Sequence, residues 1–352
     1  MEKIQILKKW GMPKFTSMRM PIDESFRPSA TIFGGDVDHL TEKVRQEFYE
    51  QNDIKKSENL VINEMKPYTK RNKIIPLSLI PSEWNSKNQN DIDWYNSDDS
   101  RYVCFTRWDG KKVLIPAAIS ISLPFKKGLS WITYSGYAHD NKFEIAVEKG
   151  IMELIERDDF ASWWHKGNGL FDVNMTQLEL IKRMIKEVKI SPNVKKVDLF
   201  EIPNEWGVIT ILCVIYSNEY PKISLGLGAS FNLEYSCKHA ILEAVGSYRG
   251  HMWEALNGEA NVNMLRFEEI YKHILETRTN SRLNNNIQKY SIEKLMKKTQ
   301  TYFSTINNKN GYTIKAYSTL LQPETMLKTT PFVSRLILRT DKPLKLGTAP
   351  FW

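Results

Sequence analysis

Glu153-Leu154-Ile155-Glu156-Arg157-Asp158 sets two carboxylates and a guanidinium at helical spacing, at the end of an apolar-periodic run and just before Trp163-Trp164. Residues three and four apart share a helix face, so Glu153, Glu156 and Arg157 point one way. That combination suits a metal-bridged phosphate. A second pair, Glu47 and Glu50 in Gln46-Glu47-Phe48-Tyr49-Glu50, lies well upstream. Two such pairs meeting across a cleft would make an acidic site for divalent cations and a nucleotide. A lone Glu-x-x-Glu pair is ordinarily a solvated helix face beside basic neighbours. The pair at 153 and 156 is less ordinary, because Leu154, Ile155 and the two tryptophans imply a packed helix end where charges need a reason.

Periodicity and turn residues supply the elements that position these groups. Gly34-Gly35-Asp36 reads as a turn, and residues 38–50 as a helix opened by an acidic first turn. Residues 1–30 read as basic and irregular, 52–102 as polar loops and short elements, and 112–123 as strand-like. A longer helix is expected over 141–164. There Phe143, Val147, Gly150, Ile151 and Leu154 form one apolar stripe, which Glu153 flanks and Glu156 opposes. Residues 175–188 read as a helix, followed by strands over 196–200, 208–216 and 222–225. Gly226-Leu227-Gly228-Ala229 then punctuates before a helix over 233–255. Helices over 265–276 and 292–302 and strands over 312–317 and 332–338 complete the pattern. No internal repeat is visible. Long helices mixed with paired strands predict an α+β, or mixed α/β, architecture.

The length of 352 residues admits two subdomains or one elaborate domain. Lys+Arg 49 against Asp+Glu 41 leaves a net +8, gathered near the N-terminus and in a Lys/Asn-rich stretch over 278–315. Such an excess is either a solvated surface or a contact for an acidic peptide or triphosphate. No motif of basic residues interleaved with aromatics points to nucleic acid. Cys104, Cys213 and Cys237 are odd in number and far apart, without the spacing of a zinc site. Cys213, in the apolar run 208–215, reads as core. The six histidines show no metal-ligand spacing either. With no signal-peptide apolar region and no run of membrane-spanning length, the expectation is a cytoplasmic protein that meets no membrane.

No phosphate loop and no dinucleotide fingerprint occurs. Gly226-Leu227-Gly228-Ala229-Ser230 offers either a phosphate-binding turn or an ordinary strand-to-helix connection. Together the motifs resemble the YcaO family. Ser135-Gly136-Tyr137-Ala138, Asn141, Ala146 and Glu153-Leu154-Ile155-Glu156-Arg157-Asp158 resemble its small-residue turn, polar helix start and Glu-x-x-Glu-Arg-Asp signature. Gln46–Glu50 after Gly34-Gly35 is similar to its upstream Glu-x-x-Glu element. Gly226–Ser230 followed by Ala240-Ile241-Leu242-Glu243 is similar to its glycine turn and third helix. Leu346-Gly347-Thr348-Ala349-Pro350-Phe351-Trp352 resembles the Pro-rich C-terminus of azoline-forming members. The likeness runs from about residue 28 to the end.

The resemblance implies a basic segment over 1–27 and a YcaO domain over 28–352, with antiparallel and mixed sheets packed against long helices around a nucleotide cleft. It implies an enzyme that uses ATP and Mg2+ to activate a backbone amide of a ribosomal precursor peptide. In azoline formation a Cys, Ser or Thr side chain attacks the preceding carbonyl, and phosphorylation of the oxyanion makes phosphate the leaving group. Carried over, Glu47, Glu50, Glu153 and Glu156 are metal and ATP carboxylates, Asn141 is a polar ligand, and Arg157 is a phosphate partner or orienter. Glu243 joins the ATP site, and Ala349, Pro350, Phe351 and Trp352 form a functional tail. Implied partners are the precursor peptide, an E1-like (ThiF-like) protein that captures the leader, a flavin dehydrogenase and a second copy of the chain. Thioamide or amidine formation is the nearest rival reaction.

Departures from the family pattern motivate a third reading. Lys43 stands where a serine is common, Gln51 where an arginine often follows, and Gly246 where a glutamine is common. Trp352 ends the chain where a proline is usual. Ile145 occupies the place of a further glutamate eight residues before Glu153, and its eleven-residue spacing to Glu156 is about three turns. These changes allow altered metal binding, compensation by Glu144 or Glu148, or a scaffold subunit that has lost ATP chemistry.

Overall fold

The apolar periodicities resolve into helices and strands in the computed structural model, which describes residues 5–7, 12–19, 29–55, 61–62, 73–74, 102–117, 135–256, 264–279 and 290–321. Along the chain come β1 (Gln5–Leu7), β2 (Phe15–Arg19), β3 (Ser29–Phe33), α1 (Val37–Lys55), β4 (Val61–Ile62), β5 (Lys73–Ile74), β6 (Tyr102–Arg107) and β7 (Lys112–Pro116). Then follow β8 (Tyr137–Asp140), α2 (Phe143–Lys166), β9 (Leu170–Asp172), α3 (Glu179–Val188), β10 (Val194–Ile202), β11 (Ile209–Ser217), β12 (Ile223–Ser230) and α4 (Leu233–Leu256). Last are α5 (Met264–Thr277), β13 (Arg278–Thr279), α6 (Ile292–Lys298), β14 (Thr301–Asn308) and β15 (Gly311–Ser318). The architecture is α+β with antiparallel and mixed sheets, as expected. Two units divide the chain: Met1–Glu47, Ser162–Lys289 and Lys342–Trp352 make the first, Phe48–Ala161 and Tyr290–Asp341 the second.

In the first unit, the N-terminal residues expected to be irregular instead supply two strands of an antiparallel sheet, β1-β2-β3. Arg249 of α4, fully buried, donates to Ser17 Oγ at 2.9 Å, Met12 O at 3.0 Å and Phe15 O at 2.9 Å. This buried cation holds Met12, Phe15 and Ser17 to α4. The second sheet runs β12-β11-β10-β9-β13. Ile209, Ile211, Cys213 and Ile215 of β11 pack in one cluster with Ile181, Met184 and Val188 of α3 and Cys237, Ala240, Ile241, Ala244 and Val245 of α4. Cys213 is core, and burial pushes its thiol up, as it pushes Cys237 up to about 12.

The glycines at 226 and 228 do not form a turn. They lie inside β12, paired throughout with β11. A Cβ at Gly226 would stand 2.2 Å from Ala240 O and Ala244 N, and one at Gly228 would stand 2.3 Å from Ser236 O. They are glycines because α4 lies directly on the strand, which removes the phosphate-turn alternative.

In the second unit a seven-stranded sheet runs β5-β7-β6-β14-β15-β8, with β4 on β6. The helix expected over 292–302 stops at Lys298. Ser291 caps its start by accepting from Lys294 N at 3.3 Å, and Thr299 closes it by donating Oγ1 to Leu295 O at 2.8 Å. Residues 301–308 then pair with β15 through the Lys309-Asn310 turn. Asp53 near the end of α1 accepts from Thr313 Oγ1 at 2.5 Å, which in turn lies 2.8 Å from His139 Nδ1. His139 Nε2 is 3.2 Å from Asn310 O.

Burial holds the His139 imidazole below its usual titration range, against the opposing pull of Asn310 O and Asp53. Burial likewise lowers His273 in the first unit. A depressed histidine stabilises the fold above its unfolded pKa, about 6.5, and that stability is lost as pH falls through the folded value. The unfolding free energy is therefore expected to fall on going from about pH 7.5 to about pH 5.5, by at most about 1.4 kcal/mol per pH unit for each histidine, and the melting temperature falls with it. Thermal melts of wild type and His139→Gln check this. The variant should show a shallower pH dependence, and an unchanged slope would remove His139 from the account.

No helix among the described residues is long and apolar enough to cross a membrane. The strand expected over 332–338 and the tail Ala349, Pro350, Phe351 and Trp352 lie outside the described residues.

Candidate active site

α2 carries the central signature, and its burial departs from the expected stripe. Ala146, Val147, Ile151, Leu154 and Ile155 are buried as an apolar face requires, but so are Met152, Asp158, Asp159 and Glu156, the last only 6% exposed. The helix is enclosed on more than one side, so Glu156 does not stand opposite the core. A carboxylate that deep keeps its charge only beside a cation or hydrogen-bond donors. Glu153 lies one turn from Arg157, Oε1 to Nη2 at 2.7 Å, and its Oε2 accepts from Gly136 N at 3.0 Å. Arg157 Nη1 donates to Ser135 Oγ at 3.3 Å. The signature and the small-residue turn, separate in sequence, are one hydrogen-bonded assembly.

Gly136 makes that assembly possible. Its φ of +80° is left-handed, and a Cβ there would stand 2.6 Å from Ala316 O and 3.0 Å from Leu154 Cγ. Ala316 N donates to Gly136 O at 2.7 Å, so β15 holds the turn from the other side. Lys315, 3% exposed, donates Nζ to Ser135 O, and its ammonium stands 4.6 Å from the Tyr137 ring centroid. Two cations, Arg157 and Lys315, thus flank a two-residue turn. Sequence reasoning does not single out Lys315. Its signal is a lysine between Ile314 and Ala316 in a strand that is buried residue after residue.

Asn141 is exposed in the turn between β8 and α2, where Asp140 Oδ1 accepts from Lys142 N at 3.0 Å and Asp140 pairs with Lys149 at 2.7 Å. α2 starts at Phe143, so ten residues of helical rise put Glu153 about 15 Å along the axis from the end beside Asn141. One ion cannot touch both, whereas a ligand as extended as a nucleoside triphosphate can run between them. Ile145, 38% exposed, lies between these levels, with Glu148 exposed one turn further on. On α1, capped by Asp36 Oδ1 accepting from His39 N at 2.9 Å, Glu47 is exposed and Glu50 half-buried. Glu47 belongs to the first unit and Glu50 to the second. Glu243, also of the first unit, lies 3.7 Å from His239 Nε2 on α4, and the His239 ring is parallel to that of Tyr235. Gly246 faces β3: a Cβ there would stand 3.1 Å from Thr31 Oγ1, which leaves little space for the glutamine common in the family.

Among the described residues no group of three or more His, Cys, Asp or Glu side chains could form a metal cage. Mg2+ does not require one, since it commonly takes one or two carboxylates and completes its shell with phosphate oxygens and water. A Glu-x-x-Glu pair beside the Arg157 and Lys315 cations therefore fits a magnesium-bound triphosphate.

Comparison with known proteins shows the family and its cofactors. The family model for YcaO cyclodehydratase, ATP- and Mg2+-binding, matches residues 48–319. The fold is similar to that of YcaO from Methanopyrus kandleri bound with AMPPCP and Mg2+, at TM-score 0.69 and 14% identity over 92% of this chain and 86% of that one. It is also similar to a chain of the E. coli microcin synthetase McbBCD complex, at TM-score 0.66 and 14% identity over 90% and 87%. The same complex with pro-MccB17 bound gives TM-score 0.64 and 13% identity over 90% and 87%. Among curated protein sequences, none matches significantly. The chain belongs to the YcaO cyclodehydratase family, whose cofactors are ATP and Mg2+.

Proposed function

We propose that this chain, read as one YcaO domain over 28–352, activates backbone amides of a ribosomal precursor peptide, converting Cys, Ser or Thr to thiazoline or oxazoline in microcin- or bacteriocin-type biosynthesis. The observation that carries the reading is the assembly of Glu153, Arg157, Ser135 and Gly136, with Lys315 behind it. When bound, Mg-ATP supplies phosphoryl transfer to the amide oxygen, turning a poor leaving group into phosphate. Glu47, Glu50, Glu153, Glu156 and Glu243 are the carboxylates assigned to metal and nucleotide, with Asn141 as a polar ligand. Arg157, held by Glu153, presents a planar fork fixed in direction, and Lys315 holds the turn that carries Ser135. A fixed cation loses little entropy on meeting phosphate, so the pairing preorganises the site.

The same reading includes a leader-binding partner of E1-like type, a flavin dehydrogenase and work in the cytoplasm; similarity to chains of a synthetase complex, one with pro-MccB17 bound, supports a partner protein and a peptide substrate. Truncation of Ala349–Trp352 is expected to impair ring formation; full activity of the truncated chain would exclude the tail.

Ile145 favours one alternative, a YcaO-like scaffold, since an exposed isoleucine stands where a ligand is common. Calorimetry of Mg-ATP with wild type and Glu156→Gln, in the presence of partner and peptide, separates the two. The enzyme reading expects binding heat that the substitution removes; no heat with wild type would leave the scaffold.

A further inference from the structure

Three buried polar side chains of the second unit, Asp53, His139 and Thr313, join the elements that carry its candidate site. A carboxylate as deep as Asp53, 4% exposed, needs donors. Thr313 Oγ1 supplies one at 2.5 Å, the length of a charge-assisted O–H···O contact. His139 Nδ1 lies 2.8 Å from the same hydroxyl, which has one proton to give and lone pairs with which to accept. Thr313 and His139 stand directly opposite in the β8–β15 ladder, and the next pair on that face is Lys315 with Tyr137. α1 lies over this face: Asp53 reaches Thr313, and the Tyr49 ring centroid is 5.3 Å from that of His139.

Each member is a short step from a residue of the site. Glu50, half-buried, is three positions before Asp53 on α1, so the two share a helix face. Thr313 is two positions before Lys315, which donates to Ser135 O, and side chains two apart share a strand face. His139 is two positions before Asn141. The Thr313 hydroxyl is therefore where α1, which brings Glu50, is fastened to β15, which brings Lys315, and to β8, which leads from Gly136 to Asn141. Hydrogen bonds are short and directional, whereas apolar contact is not. A methyl group in place of this hydroxyl would keep the elements together without fixing their offset. Ligand-holding groups need placement to within about 0.5 Å, so such a slip costs more in ligand affinity than in folding.

We propose that Asp53, Thr313 and His139 are positioning residues for the nucleotide site, setting Glu50 at a fixed offset from Lys315 and the Ser135-Gly136 turn, a role that rests on the assignment of Glu50 to Mg-ATP proposed above. Calorimetric titration of the full chain with Mg-ATP, well below the melting temperature and beside thermal melts of the same proteins, tests it. Thr313→Val keeps the shape and loses the hydroxyl, and affinity should fall roughly tenfold; Thr313→Ser should restore it to within about twofold. Thr299→Val removes another buried threonine hydroxyl of the same unit, one that serves Leu295 O and Thr301. It should lower the melting temperature and leave the affinity unchanged. Should Thr313→Val fail to melt cooperatively, His139→Gln replaces it, with a loss of roughly threefold expected. Equal losses of affinity in Thr313→Val and Thr299→Val mean general loosening and overturn the positioning role. Wild-type affinity in Thr313→Val, with Glu50→Gln weakened, also overturns it and leaves the site assignment standing. No binding by wild type, or Glu50→Gln at wild-type affinity, overturns the site assignment and the positioning role with it.

Discussion

Glu153→Gln is expected to lower peptide-dependent ATP turnover roughly a hundredfold or more while the chain stays folded. The carboxylate does two things at once, accepting from Gly136 N and pairing with Arg157. Glutamine can keep the neutral hydrogen bond to the turn. It cannot keep the charge that fixes the guanidinium, so Arg157 loses its direction rather than its presence. Removal of a preorganised electrostatic contact costs far more in rate than in stability, because the contact is used most fully when charge develops. The melting temperature should fall by only a few degrees, since one partly buried ion pair contributes on the order of 1 kcal/mol. Turnover within threefold of wild type would mean that Glu153 merely props the turn. Arg157→Lys should behave like Glu153→Gln, because a point charge cannot reproduce the fork.

Gly226→Ala is expected to destabilise the first unit by about 3 kcal/mol or more. The added methyl would meet backbone atoms of α4 at 2.2 Å, and backbone cannot rotate aside as a side chain can. Gly228→Ala meets Ser236 O at 2.3 Å and should behave alike. Gly250, on the same helix, is open: a methyl added there would have no heavy atom within 4 Å. Gly250→Ala should therefore stabilise by about 0.5–1 kcal/mol through helix propensity. Urea denaturation of the three variants gives the comparison. A tolerated Gly226→Ala would contradict the close seating of α4 on β12.

Much of this architecture is legible in the sequence. The 3.6-residue period of 143–154 announces α2, and the runs over 196–200 and 208–216 announce β10 and β11, because packing there agrees with local preference. The differences have physical causes. Glu156 reads as solvent-facing because a one-stripe wheel assumes one buried side, whereas α2 is covered on several. Gly226 and Gly228 read as a turn because sequence does not reveal how closely a later helix approaches a strand. The N-terminal strands escape a local reading because what holds Met12, Phe15 and Ser17 to α4 is Arg249, more than two hundred positions away. β14 escapes because the Lys/Asn-rich stretch draws attention to charge, while the two-residue turn that closes its hairpin is Lys309-Asn310. At the site, spacing supplies the Glu153–Arg157 pair, but its tie to Ser135 and Gly136 and the approach of Lys315 require the third dimension.

The central claim, ATP-dependent amide activation on a precursor peptide, is tested most directly by the mass of that peptide after incubation with this chain, its leader-binding partner and Mg-ATP. Loss of one water for each modified Cys, Ser or Thr, absent without ATP and absent with Glu156→Gln, is the predicted result. A peptide of unchanged mass with folded wild-type chain, partner and Mg-ATP all present would contradict it, and oxygen-for-sulfur exchange would move the reaction to thioamidation.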